Sequence, residues 1–351
     1  MTQPVASGPP AADLAELVAR AAAGDDLTAE QAEAAFGALI GGGASPALAA
    51  AFLVALRAKG EAPAEVAGGV RALRVAMVPL PVASADGLVD TAGTGGGALT
   101  TFNISTAAAL VAAGAGVRVA KHGNRSFTSR CGSADVLETL GVVIEITPAT
   151  MARVLDEAGI VFMFAPLMHP AMRHVGPIRR ELGMFTIMNL LGPLTNPARV
   201  RRQVVGVSDP SLLDLVAATL YELGHERALV VHGAPGMDEL SPLGPTQVRE
   251  VDADGVRAYE VAPRDFGWRD LDARELAGGS PDENARTLVR VLSGRGSPAQ
   301  VAAVAVNAGA AIYVAGRAPT LVDGVAEARQ AISDAAGMDA LERLRAASAP
   351  R

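Results

Sequence analysis

The chain has 351 residues, half of them apolar and only 3% aromatic, with a formal net charge of −7. That length holds one large domain or two, and the core must be built from Ala, Val and Leu, which favours close helix packing. The acidic balance argues against a general nucleic-acid coat, which needs clustered positive charge, but leaves room for a local cationic pocket around a phosphorylated metabolite.

The first residues are rich in Pro, Ala and Gly and lack the basic-then-apolar pattern of a signal peptide. From residue 11 to 80 the texture is helical. Apolar residues recur at helical spacing in Leu14-Leu17-Val18, Phe36-Leu39-Ile40 and Phe52-Leu53-Leu56. Thr28 with Gln31 forms a capping-box pattern, and Ser45-Pro46 places a cap before a first-turn proline. Gly24, Gly41 and Gly60 follow the periodic runs as stop signals. Residues 1–82 are therefore expected to form a small helical domain.

From Leu88 onward short strands alternate with helices. Strands are expected at 89–92, 117–120, 142–146, 161–165, 204–207 and 228–232, with helices at 106–113, 134–140, 148–158 and 211–223. Such alternation predicts an α/β domain, residues 83–351, with a mostly parallel central sheet covered by helices. Residues 247–262 read as a hairpin turning at Asp252-Ala253-Asp254-Gly255. Three further helical runs follow, at 283–292, 298–314 and 321–335. The apolar run 301–315 is interrupted by Asn307 and is too short to span a membrane. The segment 169–197 is punctuated by prolines and glycines and carries Arg173, Arg179 and Arg180; it is expected to fold back on the helical domain and help line a cleft.

The chemistry concentrates between Asp90 and Gly141. Gly93-Thr94-Gly95-Gly96-Gly97-Ala98 fits a dinucleotide fingerprint, yet Lys121 stands where a ribose-binding acid belongs, and the loop lacks the Lys-Ser/Thr ending of a P-loop. What remains is a glycine turn that lets backbone amides approach an anion. Ser and Thr in Asn103-Ile104-Ser105-Thr106 most often cap a helix, but a helix N-terminus also suits phosphate, and a Ser hydroxyl can join a magnesium shell held by phosphate oxygens. Lys121-His122-Gly123-Asn124-Arg125 follows a strand, where open α/β sheets place ligands. Ser126, Thr128, Ser129 and Ser133 add hydroxyls, and Cys131 reads as a bystander. As the only cysteine, Cys131 leaves no intrachain disulfide and fits a reducing, cytoplasmic setting. Asp238-Glu239 also lies just beyond a strand, and two such carboxylates with substrate phosphates would suit Mg²⁺. The five histidines show no metal-protease spacing, and no Ser/His/Asp or Cys/His nucleophile pattern stands out.

These motifs, with Gly132-Ser133-Ala134-Asp135, His169-Pro170-Ala171-Met172 and Asn189-Leu190-Leu191-Gly192-Pro193-Leu194-Thr195-Asn196-Pro197, closely resemble the anthranilate phosphoribosyltransferases of tryptophan biosynthesis over nearly the whole chain. The resemblance implies the nucleoside phosphorylase/phosphoribosyltransferase-like fold, a helical domain and a larger α/β domain around a cleft, and usually a homodimer. It implies transfer of the phosphoribosyl group of phosphoribosyl pyrophosphate to the amine of anthranilate, with Mg²⁺ required. By position, Gly93, Gly96, Gly97, Thr101, Asn103, Ile104, Ser105, Thr106, Lys121, His122, Gly123, Asn124, Arg125, Ser126, Phe127, Thr128, Ser129 and Ser133 would surround the donor. Ser105, Asp238 and Glu239 would bind the metal, and Gly93, Asn124 and Arg179 would contact anthranilate.

An aniline nitrogen is already nucleophilic when neutral, so the lack of an acid/base dyad is no obstacle; Lys121 would act electrostatically. Two departures stand out. Gly97 occupies the place where the family's glycine loop normally ends in Asp, which removes a carboxylate beside the expected metal–pyrophosphate site. Met184-Phe185-Thr186 stands where an Arg often precedes the Thr. A phosphoribosyltransferase for another aromatic acceptor and a non-catalytic, nucleic-acid-binding paralogue are the alternatives; the net charge and the intact Asp238-Glu239 pair weigh against the second.

Overall fold

Thr28 and Ser45 cap the helices that their positions announced. The Thr28 hydroxyl accepts the N–H of Gln31 while the Gln31 side chain accepts the N–H of Thr28, closing the capping box. Ser45 accepts the N–H of Leu48, with Pro46 in the first turn. A computed structural model describes residues 11–126 and 130–350. The expected ligands Phe127, Thr128 and Ser129, and the extreme N-terminus, lie outside the described residues.

The chain opens with four helices, α1 (Ala11–Ala22), α2 (Ala29–Ile40), α3 (Pro46–Lys59) and α4 (Pro63–Ala76). Their apolar faces meet around Phe36 and Phe52, whose rings pack edge-to-face with centroids 5.3 Å apart. A buried polar knot holds the α3–α4 turn. Glu65, fully buried, accepts from the N–H of Leu27, the N–H of Ala62 and Nζ of Lys59, which also reaches Asp26 at 2.7 Å. Burial works against the Lys59 charge, but Asp26 and Glu65 overrule it and raise its pKa.

The α/β part runs β1 (Leu88–Gly93), α5 (Ile104–Gly114), β2 (Arg118–Gly123), α6 (Ser133–Thr139), α7 (Pro148–Ala158) and β3 (Ile160–Phe164). Next come α8 (Ala165–Met168), α9 (Gly176–Leu182), α10 (Ile187–Leu194), β4 (Arg202–Gly206), α11 (Leu213–Glu222) and β5 (Arg227–Gly233). The hairpin β6 (Thr246–Asp252) and β7 (Gly255–Val261) and helices α12 (Pro281–Leu292), α13 (Pro298–Val314), α14 (Leu321–Ser333) and α15 (Ala336–Ser348) complete the chain. The seven strands form one sheet in the order β3-β2-β1-β4-β5-β6-β7; the first five are parallel, and β6 and β7 add an antiparallel edge.

Alternation along the central strands assigns the two faces. Val204, Leu229 and Val231 point into the core shared with α5 and α13, while Val205, Ala228 and Val230 point toward α11 and the helical bundle. Val175, Ile187, Leu190 and Leu191 join that second core, so the segment 169–197 packs on α3 and α4.

Two expectations need correction. Residues 142–146 form no strand. Val142 and Ile144 are buried as alternation demanded, but the N–H of Val143 goes to the Ser348 hydroxyl at the end of α15 rather than to a neighbouring strand. The last helical run, expected over 321–335, ends as α14 at Ser333; Ala335 then turns left-handed (φ 56°) into α15, a helix that none of the expected runs includes. The run around Asn307 is an interior helix, and no described helix is long and apolar enough to cross a membrane.

Candidate active site

The strand order reverses between β1 and β4. Connections from β1 lead to β2 and β3 on one side, and the chain returns to lay β4 on the other. The crevice at the carboxyl ends of such a pair is where open α/β sheets bind ligands. Here it is walled by glycine. Gly93 of β1 pairs with Gly206 of β4, and a Cβ on either would collide with Asp238. The glycine loop then bends over the acid: the N–H of Thr94 bonds Gly206 O at 2.9 Å, the N–H of Gly95 bonds Asp238 Oδ2 at 2.8 Å, and the N–H of Ala98 bonds Gly236 O at 2.7 Å. Gly95 and Gly96 adopt the left-handed conformation that this bend requires, with φ of 70° and 80°.

Glu239, the second acid, accepts the N–H of Ser105 at 3.1 Å through Oε1. That N–H belongs to the first turn of α5, where the helix dipole favours negative charge. Its other oxygen, Oε2, is buried with no partner. Burial and the neighbouring Asp238 charge push the Glu239 pKa well above the usual carboxylate range, against the pull of Lys121 and the Ser105 N–H. Burial also raises Asp238, opposed by its bond from Gly95. The backbone that presents the pair is clamped by Asn307 of α13, whose side chain accepts the N–H of Leu240 at 3.0 Å and donates to Leu240 O at 2.9 Å.

Lys121, on β2, is 3% exposed. Its ammonium donates to Thr91 O at 2.7 Å, Ser105 Oγ at 3.3 Å and Thr91 Oγ1 at 3.4 Å, so all three donors are engaged. Burial lowers its pKa, while Asp90 and Glu239 favour the charged form. Ser105, Lys121, Asp238 and Glu239 therefore form one connected cluster around the end of β1.

The other expected residues divide by task. Ile104 is core, and the Thr106 hydroxyl is buried without a partner. Asn103 precedes α5 and commits its side chain to Cys131 O and to Asn284 Nδ2. Thr101 bridges to Ala277, which docks the descending glycine loop on the segment before α12. Gly97 lies against Gly236 O and Asp238; a Cβ there would sit 3.0 Å and 3.4 Å from Gly236 O and Asp238 Oδ1. Beyond β2, Gly123 has no room for a Cβ beside Ser133 Oγ, and Ser133 itself donates to Asn124 O. Asn124 Oδ1 accepts the N–H of Arg125 at 2.8 Å, and the N–H of Ser126 goes to Asp135. Arg125 turns to acids of α6, making a two-pronged contact with Glu138 and a bond to Asp135 at 3.2 Å, with its guanidinium over the Phe164 ring.

His122 stacks on His169 with ring centroids 4.9 Å apart, and Nε2 of each is buried without a partner. Burial holds both rings neutral, with His169 lowered to about 4 and His122 well below its ordinary value. Arg179 stands on α9, which packs against α3. Burial lowers its pKa, and among the described residues its guanidinium makes no hydrogen bond or ion pair. No described contact joins it to Asn124.

Sequence reasoning passed over three parts of this site. Gly206 offered no motif, because its need is a close approach from residues far along the chain. Asn307 registered only as a break in an apolar run. Asp90 and Thr91 precede the glycine loop, and a charged residue inside a strand otherwise built of apolar and small residues was the available signal.

The donor set suits a hard cation. Two carboxylates and a hydroxyl converge, and one buried carboxylate oxygen is unsatisfied. Among the described residues no group of three or more His, Cys, Asp or Glu could hold a metal alone, so a cation here needs oxygens from a bound phosphate as well.

Known proteins share this architecture. Residues 15–77 match the helical bundle domain of a glycosyl transferase family, and residues 85–338 match its a/b domain. The anthranilate phosphoribosyltransferase of Rubrobacter xylanophilus is 52% identical over 332 residues, 94% of this chain and 96% of that protein. The crystal structure of the Thermus thermophilus anthranilate phosphoribosyltransferase superposes with a TM-score of 0.90 at 46% identity, covering 95% of this chain and 99% of that one. The Saccharomyces cerevisiae anthranilate phosphoribosyltransferase in complex with PRPP and Mg gives a TM-score of 0.86 at 26% identity, covering 96% and 98%. This chain belongs to the anthranilate phosphoribosyltransferase family.

Proposed function

We propose that the crevice between β1 and β4 binds phosphoribosyl pyrophosphate with Mg²⁺ and transfers the phosphoribosyl group to the amine of anthranilate, a step of tryptophan biosynthesis. One observation carries the assignment of roles: Ser105, Lys121, Asp238 and Glu239 converge at the carboxyl ends of the two strands where the sheet order reverses. Asp238, Glu239 and Ser105 would hold magnesium, which when bound neutralises charge on the departing pyrophosphate.

The chain's own residues do the rest. Backbone amides of the loop from Gly93 to Gly97 and of the first turn of α5 offer donors to phosphate oxygens. Lys121 supplies a fixed positive charge beneath Ser105, in a buried setting where that charge counts for more than in water. Thr101, Asn103 and Thr106 shape the turn into α5, and Lys121 to Ser126 with Ser133 wall the opposite side. Within that wall Arg125 serves as a brace through Glu138. Gly93 and Asn124 border the acceptor, and Arg179 takes its carboxylate, the use for which an unpaired guanidinium is suited. As the C–O bond to pyrophosphate breaks, the ribose carbon gains oxocarbenium character and the aniline nitrogen forms the new C–N bond; the resulting anilinium passes one proton to water and pyrophosphate departs. No strong base is needed, and positioning with electrostatics accounts for the rate.

We further assign residues 1–82 to a helical domain and 83–351 to the donor-binding domain, and expect a cytoplasmic homodimer. The deciding experiment mixes purified protein with phosphoribosyl pyrophosphate, Mg²⁺ and anthranilate and follows anthranilate fluorescence. Loss of fluorescence with matching pyrophosphate release is expected. Pyrophosphate release with a different aromatic amine and none with anthranilate would overturn the acceptor; no release, with salt-sensitive retention of nucleic acid, would favour a binding protein.

A further inference from the structure

Asp90 is fully buried in the middle of β1, and its ties run away from the phosphate cluster. Its Oδ1 accepts the N–H of His122 at 3.2 Å, and its Oδ2 accepts Nδ2 of Asn196 at 2.8 Å and Nε2 of Gln203 at 3.4 Å. The two amides reach further. Asn196 also donates to Ala120 O at 2.8 Å and accepts the N–H of Ala198, while Gln203 donates to Pro193 O at 2.6 Å. The backbone at Gly192 and at Thr195 faces the rings of His122 and His169. The turn that brings the chain back from α10 to β4 is thus tied to β1 and β2 by side chains, with one carboxylate at their centre, while backbone bonds such as Arg199 N–H to Asn196 O close it locally.

We propose that Asp90 is a positioning residue for the acceptor: through the N–H of His122 it locks the strand end that leads to Asn124, the acceptor contact on this side, to the turn 192–196. Stability alone does not call for a charge here. Burying a carboxylate is unfavourable, and a strand, turn and neighbouring strand packed through apolar side chains throughout would need neither it nor the amides that it holds. What an apolar residue cannot do is accept three donors from three separate segments at once. The donor side receives no hydrogen bond from it, only the pull of its charge on Lys121: the glycine loop, Ser105 and the Asp238-Glu239 pair are joined to one another instead.

This inference rests on the function proposed above, and the unmodified chain separates the two. If that chain does not turn over anthranilate, the functional reading fails; if it does, the variants decide on Asp90 alone. In Asp90→Asn the new amide meets either another amide donor at Asn196 or the N–H of His122, so one tie is lost in any orientation. Asn196→Ser cuts the same link from the other end without touching β1.

Losing one or two buried hydrogen bonds that matter only to acceptor placement should raise the KM for anthranilate about tenfold or more in both variants. The KM for phosphoribosyl pyrophosphate should stay within about twofold in Asn196→Ser, which keeps the Asp90 charge beside Lys121, and should rise less than the anthranilate KM in Asp90→Asn. A merely structural role predicts something else: a lower melting temperature and a kcat scaled by the active fraction, with both KM values unchanged. That result, or an equal rise in both KM values, overturns the proposal. Should Asp90→Asn fail to fold, Asn196→Ser decides the question by the same measurements.

Discussion

The two sides of the crevice are built on opposite plans. On the donor side the polar groups already hold one another: Gly95 N–H on Asp238, Ser105 N–H on Glu239, and Lys121 on Thr91 and Ser105. On the proposed acceptor side Arg179 is partly buried and makes no described polar contact. A preorganised donor side needs little reorganisation when charge develops on pyrophosphate. An acceptor side with an unpaired guanidinium would gain its bonds only when a carboxylate-bearing ring arrives. The difference teaches where each kind of kinetic damage should appear.

Removing the acids should do the most harm. Asp238→Asn combined with Glu239→Gln keeps the shape and strips the charge that would hold magnesium, so kcat/KM should fall on the order of a thousandfold or more. A loss of less than about tenfold in initial-rate assays at saturating Mg²⁺ would mean that the pair is a structural turn and the donor side lies elsewhere. Arg179→Ala comes next. A charge-assisted bond to a carboxylate is worth roughly 1.5–3 kcal/mol, so the anthranilate KM should rise about ten- to a hundredfold while the donor KM holds. An unchanged anthranilate KM would erase the contrast between the two sides, and Arg179→Lys should restore only part, since the bidentate fork is lost.

Gly97 sharpens the donor half. Its φ is not left-handed, and a Cβ would need the neighbouring Gly236 O, which also accepts the Ala98 N–H, to give by a few tenths of an ångström. An Asp here would set a third carboxylate beside Asp238. The half-maximal Mg²⁺ concentration of Gly97→Asp should drop by roughly two- to fivefold, with turnover retained. A rate-versus-Mg²⁺ curve that superposes on that of the parent chain would show that the missing acid has no bearing on metal use.

Much of this was legible in the sequence because the relevant signals are local. Helix periods, the Thr28–Gln31 box and the alternation of strand and helix each depend on residues a few positions apart. The strand ends placed Lys121 and Asp238-Glu239 in one crevice through the general rule for parallel sheets. The misses share a cause as well. Val142 and Ile144 alternate because they are buried, and only the partner of the Val143 N–H, supplied by Ser348 some two hundred residues on, decides against a strand. Asn307, Gly206 and Asp90 matter through contacts of 67, 32 and 106 positions' separation, to Leu240, Asp238 and Asn196. No spacing rule carries that information.

Arg125 gives the smallest expected effect and the finest cut. It sits in a motif whose other members are proposed to wall the donor, yet its guanidinium is occupied by Glu138, Asp135 and the face of Phe164, with Glu145 at 3.8 Å. These contacts are partly exposed, and pairs of that kind contribute about 0–1 kcal/mol to stability. If Arg125 is a brace, Arg125→Met should lower the melting temperature slightly and change the donor KM by less than about twofold. Glu138→Gln should then do the same, because it cuts the same brace from the far side. A donor KM raised tenfold or more by Arg125→Met, with Glu138→Gln leaving it unchanged or lowering it, would mean that the guanidinium leaves the acids and swings onto phosphate. The donor side would then not be preassembled throughout, and the contrast between the two sides would be one of degree.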